Sequence, residues 1–309
     1  MNRPAPVTVV IPIRGRPDFL AEAVASLAPD ASLIAEAIVI EDGTRYVREA
    51  DIEGLFPRLR LVRAGRIGRS AARNLGVAEA TTELVAFLDA DDVSLPGRME
   101  RQAAALAATP EAGLCFGLVE AIDNASRPLR WKTDVERSRF DSLVRRRADE
   151  VGLLVDCAVY TSATMVRRAA FQAVGGYHVD HDAYEDLDLY LRLARRAPLV
   201  PCPAPAVAQH RLHPGNTASD YLYAGSIRLA ERHLRDGARG TARRLLLLRE
   251  IDGYWGLGAF EKARQRTLAA LLHEPSLLAS AQFRRRLAGA ALPAGALREL
   301  RRLHTGRDR

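Results

Sequence analysis

The sequence predicts an α/β fold: a doubly wound, mostly parallel sheet flanked by helices, with an α-helical C-terminal extension. Three observations predict it. Strand-like runs alternate with helical segments through the first ninety residues, the pattern of a parallel sheet with helical crossovers. Two of those runs end abruptly in carboxylates. A buried strand carries such groups only at its mouth, and the carboxyl ends of strands are where open α/β sheets bind ligands. Finally, the charge shifts along the chain. Residues 1–220 hold 27 Lys and Arg against 30 Asp and Glu, a net of −3, whereas residues 221–309 hold 18 against 8, a net of +10.

Val7-Thr8-Val9-Val10-Ile11-Pro12-Ile13 is rich in β-branched residues and reads as the first strand. Pro12 cannot donate to a ladder, so the strand opens out near its end. Arg16-Pro17-Asp18 starts a helix with Phe19, Leu20, Ala23, Val24 and Leu27 on one face. Ala35 to Ile40 is a second strand, ending in Glu41-Asp42-Gly43-Thr44, and Leu59 to Val62 is a short third. Gly68-Arg69-Ser70-Ala71-Ala72-Arg73-Asn74-Leu75-Gly76 opens the next helix, and residues 84–89 form the fourth strand.

A helix follows from Pro96 to Ala108, then a fifth strand from Gly113 to Ile122. Residues 123–150 are charged and carry Trp131 and the Arg145-Arg146-Arg147 run; they read as an irregular loop. Tyr160 to Val166 is a further strand, and Gly175-Gly176-Tyr177 breaks the chain sharply. Tyr184 to Leu193 is an amphipathic helix with Glu185, Asp186 and Asp188 in its first turn. Leu199 to Val207 is extended and interrupted by proline, and Gln209 to Thr217 is a polar loop. Tail helices are expected at Tyr221–Arg235, Thr241–Ile251, Phe260–Leu272, Pro275–Leu287 and Ala296–Leu303.

Composition excludes several classes. The three cysteines, Cys115, Cys157 and Cys202, are odd in number and far apart, so neither a disulfide framework nor a zinc ribbon is indicated and reduced thiols fit best. No signal-peptide core opens the chain and no apolar run approaches a spanning helix, which points to the cytoplasm. The first strand is followed by Arg14-Gly15-Arg16-Pro17 in place of G-x-G-x-x-G, which sets aside a dinucleotide-binding dehydrogenase. A phosphate-binding G-x-x-x-x-G-K-[ST] loop is absent as well.

The most informative stretch is Leu84-Val85-Ala86-Phe87-Leu88-Asp89-Ala90-Asp91-Asp92. Carboxylates packed this closely raise one another's pKa unless a cation intervenes. Hard oxygen ligands with one residue between them suit Mg²⁺ or Mn²⁺, with phosphate oxygens completing the octahedron. The competing reading is an acidic strand-to-helix turn with Asp92 or Ser94 as N-cap and Pro96 as an early helical residue.

Taken in order, VVIP, IVIEDGT, GRSAARNLG, LDADD, VGGY…EDLDLYLRL and HRLHPGNT resemble family 2 glycosyltransferases of the GT-A fold over roughly residues 5–220. The resemblance implies a catalytic domain over 1–220, with a nucleotide-sugar half at 1–112 and an acceptor half at 113–220, followed by a basic helical region at 221–309. It implies transfer, usually with inversion, of a hexosyl or N-acetylhexosaminyl group from a nucleotide-diphosphate sugar, with Mn²⁺ or Mg²⁺ as cofactor. On that pattern Pro12 and Arg14 line base and ribose, while Glu41 and Asp42 bind the base, typically uracil. Arg73 contacts base or diphosphate, and Gly68 places backbone N–H groups near the donor at a helix N-terminus. Asp89 and Asp91, around Ala90, form the DxD pair, with Asp91 as direct metal ligand and Asp89 on ribose or water. Asp186 is the general base, Glu185 positions the acceptor, and His213 approaches diphosphate or metal.

Two departures stand out. Arg14 and Gly15 replace the family's aromatic and Asn, and Glu41-Asp42 replaces the commoner Asp-Asp. The implied partners are the donor and a glycan or lipid-linked acceptor of cell-surface polysaccharide or glycoconjugate synthesis. Arg284-Arg285-Arg286 with Arg298, Arg301 and Arg302 suit a peripheral contact with the inner face of the plasma membrane. A packing face or homodimer contact is the alternative for these arginines, and nucleic acid is not favoured because no stacking aromatics accompany them. The competing function is a catalytically silent sugar-nucleotide-binding scaffold. A pyrophosphorylase would need a Gly-rich loop and a lysine after the first strand, and neither is present.

Overall fold

The computed structural model describes residues 5–15, 17–43, 47–180, 183–212 and 219–292. Contacts divide the chain into two compact units, Met1–Asn216 and Thr217–Arg309. The first is a sheet wrapped by helices. Its strands are β1 (Val7–Ile13), β2 (Ile34–Asp42), β3 (Leu59–Gly65), β4 (Leu84–Phe87), β5 (Val93–Ser94), β6 (Leu114–Phe116), β7 (Val119–Ile122), β8 (Thr164–Arg167), β9 (Leu199–Pro201) and β10 (Ala208–Arg211).

Seven of them form one sheet in the order β3-β2-β1-β4-β8-β6-β9, and β5-β10-β7 form a second. In the large sheet β8 alone runs against its neighbours; the β1–β2, β2–β3, β1–β4 and β6–β9 pairings are parallel. The doubly wound, mostly parallel sheet is therefore present. The N–H that Pro12 lacks costs nothing, because β1 pairs with β4 only through Val10. Val9, Ile11, Val39, Ala86 and Met165 lie among the buried residues of a single core.

The helices of this unit are α1 (Leu20–Ala25), α2 (Glu49–Ile52), α3 (Arg69–Glu79), α4 (Arg98–Ala108), α5 (Arg130–Arg145), α6 (Glu150–Val155), α7 (Arg168–Ala173) and α8 (Glu185–Ala194). Four expectations are corrected. The apolar run 113–122 is two strands, β6 and β7, lying in different sheets. The chain changes sheets at Gly117, where a Cβ would sit 2.3 Å from Val207 Cγ2, so only glycine allows the approach. Residues 123–150 are largely helical: α5 buries Glu136, Phe140 and Leu143. The strand expected at 160–166 is a 3₁₀ turn, Thr161–Ala163, followed by β8. The expected polar loop begins as strand β10, whose Ala208 and Arg211 are buried.

The second unit holds α9 (Ser219–Arg235), α10 (Gly240–Gly256), α11 (Phe260–His273) and α12 (Ala281–Ala290). Leu247, Leu248, Ile251, Trp255, Phe260 and Phe283 form its core. Instead of one helix from Pro275 to Leu287, a 3₁₀ turn at Pro275–Ala279 precedes α12, and Ser280 caps α12 by accepting from the Phe283 N–H at 3.3 Å. The helix expected at 296–303 lies outside the described residues, as does His213. Among the described residues no helix is long and apolar enough to cross a membrane.

Candidate active site

β4 is buried throughout, and the Leu88 N–H still donates to Val10 O at 3.0 Å. The chain then leaves the sheet in a turn closed by the Asp92 N–H on Asp89 O at 3.1 Å. The carboxylates of this turn are not equivalent. The Asp89 side chain is 32% exposed and that of Asp92 is 2% exposed. Asp92 Oδ1 accepts from the Arg211 N–H at 2.9 Å, and its Oδ2 accepts from Ser162 Oγ at 2.5 Å. His210 Nδ1 lies 3.3 Å from Asp92 Oδ1. Burial alone would lower the His210 pKa, but the Asp92 carboxylate outweighs it and the pKa rises.

The N-cap reading of Asp92 and Ser94 is overturned. α4 starts at Arg98, and its first turn is capped by Asp30, whose carboxylate accepts from the Gly97 N–H at 2.9 Å and the Met99 N–H at 3.1 Å.

Arg73, buried on α3, joins two segments. Its Nη2 donates to Asp89 Oδ1 at 2.7 Å and its Nη1 to Glu185 Oε1 at 3.1 Å, while its guanidinium lies 5.4 Å from the Tyr177 ring centroid. Burial would raise the Asp89 carboxyl, but Arg73 outweighs it and holds Asp89 below the usual carboxylate range. Arg69, one turn earlier on α3, reaches Glu185 Oε1 at 3.6 Å. Asn74 receives the Tyr177 N–H and donates to Tyr177 O, each at 2.8 Å, fastening the Gly-Gly-Tyr break to α3. The Tyr177 hydroxyl and Arg73 Nε are buried and have no hydrogen-bond partner among the described residues.

Glu185 and Asp186 open α8 after Tyr184, which adopts a left-handed φ of 61° uncommon for a non-glycine residue. Burial, reinforced by the neighbouring Glu185 charge, pushes Asp186 up to about 6. A carboxylate so tuned holds a proton far more readily than an ordinary aspartate, as a general base requires.

At the end of β2 the acidic pair divides its duties. Glu41 turns inward: Oε1 accepts from the Val47 N–H at 2.8 Å and Oε2 from Arg63 Nη1 at 2.5 Å. Asp42 Oδ1 accepts from the Ile67 and Gly68 N–H groups at 2.7 and 3.0 Å, while its buried Oδ2 has no partner among the described residues. Gly68 precedes α3 with φ 86° and ψ 155°, a backbone region essentially reserved for glycine.

The structure thus brings Arg73, Asp89 and Glu185 into direct contact, with Asp186 next in the chain to Glu185. Asp42 and Gly68 meet at the neighbouring strand end. Pro12 lies in β1 and Arg14 just beyond it, exposed. Asp91 and Asp89 flank the buried Ala90 and are both partly exposed. These are hard oxygen donors, which fits a divalent ion that keeps water and phosphate oxygens. Among the described residues no group of three or more His, Cys, Asp and Glu side chains is gathered for a metal. Sequence reasoning missed Ser162, Asn74, Arg69 and the packing of Tyr177 on Arg73. Asn74 lay within a recognised motif, but nothing near Ser162 marked it.

Comparison with known proteins identifies the family and the fold. Residues 8–175 match the family model described as glycosyl transferase family 2. The uncharacterized glycosyltransferase YwdF of Bacillus subtilis is 27% identical over 206 residues, 63% of this chain and 71% of that protein. A pre-mycofactocin glycosyltransferase of Mycobacterium tuberculosis is 30% identical over 189 residues, 60% of this chain but 38% of that protein. The succinoglycan biosynthesis protein ExoU of Rhizobium meliloti is 27% identical over an alignment of 331 positions, 94% of this chain and 92% of that one. Among solved structures, S. aureus TarS 1–349 superposes with a TM-score of 0.62 at 13% identity, covering 97% of this chain and 92% of that one. Its complex with UDP-GlcNAc gives 0.61 at 13% identity over the same shares. At that identity the likeness shows the fold, GT-A-like with C-terminal helices.

Proposed function

Because the chain belongs to glycosyltransferase family 2, we propose that it moves a hexosyl or N-acetylhexosaminyl group, with inversion, from a nucleotide-diphosphate sugar to an acceptor hydroxyl. A UDP-sugar is favoured, and the acceptor is a glycan or lipid-linked precursor of cell-surface polysaccharide or glycoconjugate. The observation that carries this is the Arg73 bridge, which gathers the Asp89 carboxylate and the Glu185-Asp186 helix start at the mouth of β4. The TarS complexes with UDP-GlcNAc and UDP support a uridine donor.

Asp42 would accept an N–H from the base; the support for this is its Oδ2, which has no partner among the described residues. Asp91 and Asp89 would hold Mn²⁺ or Mg²⁺, with His213 as the further ligand, and the ion would offset charge on the departing diphosphate. Asp186 takes the proton from the acceptor hydroxyl as the oxygen attacks; a single displacement needs only one such carboxylate. Glu185, pinned by Arg73 and Arg69, keeps the start of α8 in register for that attack.

The second unit carries the positive charge, and Leu268, Leu272 and Leu278 are exposed on it. We extend the reading to peripheral docking on an anionic cytoplasmic membrane surface. Sedimentation with vesicles containing phosphatidylglycerol, but not with neutral ones, would support it; a stable dimer in their absence would favour the packing alternative.

Titration calorimetry with UDP, GDP, dTDP and CMP, each with Mn²⁺ and again with EDTA, tests the donor site. Tight binding of one nucleotide that collapses on chelation is the expected result. Binding indifferent to EDTA would move Asp89 and Asp91 to direct hydrogen bonding. No binding by the folded protein would favour a silent scaffold.

A further inference from the structure

The turn Asp89-Ala90-Asp91-Asp92 belongs to neither of its neighbours. The β4 ladder ends at Phe87, and the cap of α4 comes from Asp30. Two distant side chains hold the turn instead. Ser162 Oγ accepts the Asp89 N–H at 2.9 Å and donates to Asp92 Oδ2 at 2.5 Å, so one hydroxyl ties both ends together. Arg211 donates its backbone N–H to Asp92 Oδ1 at 2.9 Å and its Nε to Asp91 O at 2.7 Å. Every bond of this set falls on the backbone of Asp89 or Asp91 or on the carboxylate of Asp92, and none uses the carboxylates of Asp89 or Asp91.

The Arg211 side chain is fully buried and anchored at its far end. Nη1 donates to Asp123 O and to Ser126 Oγ, each at 3.0 Å, and Nη2 pairs with Glu22 Oε2 at 2.7 Å, with the Phe19 ring centroid 4.3 Å away. A planar guanidinium satisfies four acceptors in fixed directions; a lysine ammonium cannot reproduce that fork. Burying both an arginine and an aspartate is costly unless each is paired and hydrogen-bonded. Asp92 meets that condition through Ser162 and the Arg211 N–H, and Arg211 meets it through Glu22, Asp123 and Ser126, so both groups that hold the turn are themselves held.

We propose that Ser162 and Arg211, acting through Asp92, are positioning residues that fix the separation and direction of the Asp89 and Asp91 carboxylates. The third acidic residue of the run is a strut and not a ligand. A cation and diphosphate then meet carboxylates already in place, as preorganised sites require. This inference rests on the metal-dependent donor reading given above.

The test uses the full chain and Mn²⁺, with whichever of UDP, GDP and dTDP binds most tightly. Ser162→Ala, Ser162→Thr, Arg211→Lys and Glu22→Gln are compared by Mn²⁺ titration followed by electron paramagnetic resonance, by nucleotide binding in EDTA and by thermal melting. Ser162→Ala and Arg211→Lys should weaken Mn²⁺ by about 10- to 100-fold, the range for outer partners of metal ligands. Nucleotide binding in EDTA should stay within about twofold, because the base contact proposed above uses Asp42 at the end of β2, whose hydrogen bonds involve neither Ser162 nor Arg211. Ser162→Thr, which keeps the hydroxyl, should recover much of the loss. Glu22→Gln, which touches only the far end of Arg211 and the Ser126 hydroxyl and no atom of the turn, should match the parent.

Unchanged Mn²⁺ affinity in folded Ser162→Ala and Arg211→Lys overturns the inference while the donor reading stands. Parallel loss of Mn²⁺ binding, EDTA-resistant nucleotide binding and melting temperature in both variants makes the contacts merely structural and overturns it too. A parent protein whose nucleotide affinity ignores Mn²⁺ overturns the metal-dependent reading, and this inference with it.

Discussion

The ends of β2 and β4 look alike in sequence and behave differently in the fold. Each parallel strand finishes in clustered carboxylates at the same edge of the sheet. After β2, Glu41 is consumed by Arg63 and the Val47 N–H, while Asp42 keeps one oxygen unpartnered among the described residues. After β4, the last carboxylate of the run is consumed, by Ser162 and Arg211, while Asp89 and Asp91 stay partly exposed. The lesson is that neighbouring carboxylates at a strand end divide into those whose two oxygens are both taken by the surrounding chain and those that keep an oxygen exposed or unpartnered among the described residues. The supply of nearby donors decides which is which.

The largest effect is expected at the start of α8, at the carboxylate proposed as the base. Asp186→Asn should reduce turnover by about 10²- to 10⁴-fold, the usual worth of a positioned general base. Its nucleotide affinity should stay within about twofold; unchanged turnover in a sugar-transfer assay would remove Asp186 from the role.

Next comes the partly satisfied carboxylate of β2. Asp42→Asn puts a donor where the base is proposed to donate, which should weaken nucleotide binding by about 1–3 kcal/mol in calorimetry. Equal affinity for parent and variant would show that the base is read elsewhere.

Glu41→Ala belongs to the consumed class and should show the reverse pattern. Losing the acceptor for Arg63 and for the Val47 N–H should cost about 1–3 kcal/mol in urea unfolding. Nucleotide binding by the folded fraction should change little; a binding defect without a stability defect would break the comparison.

The subtlest effect is on pH. Asp186 is pushed up to about 6 in the folded protein from its ordinary value of 3.8. Its folded-state pKa is raised, so the native protein holds a proton that the unfolded chain has released between those values. This group therefore favours folding at low pH, and that contribution falls away as pH rises through about 6. Asp186→Asn should accordingly be more stable than the parent at pH 8 and indistinguishable at pH 3.5, by an amount of order 1–3 kcal/mol. Under the proposed role activity has the opposite slope: a general base works only deprotonated, so the rate should fall as pH drops below about 6.

Much of the catalytic unit was legible because its signals are local. The β-branched run at Val7–Ile13, the apolar stripe of α8 and the carboxylates at strand mouths each follow from residue order alone. α5 was missed because its start is unmarked: Leu129 precedes it with no side-chain cap, and among sixteen residues only Glu136, Phe140 and Leu143 are buried. β10 was missed because Gln209, His210 and Arg211 are polar, and their pairing with β5 and β7 is long-range. Asp30 as the cap of α4 sits 67 residues from its partner Gly97, beyond any capping motif.

Residue order alone specified the alternation of strands and helices, the sheet edge where acidic groups gather, and the family motifs in their order. Those are properties of short windows, where period, branching and charge act on neighbouring positions. Which carboxylate is buried and bonded and which stays exposed follows from the fold in three dimensions, because that depends on donors arriving from elsewhere. Ser162 stands 70 residues from Asp92, Arg211 stands 119 from it, and Glu185 stands 112 from Arg73. A carboxylate's burial and partners are set where these segments meet, and no window of sequence contains that meeting.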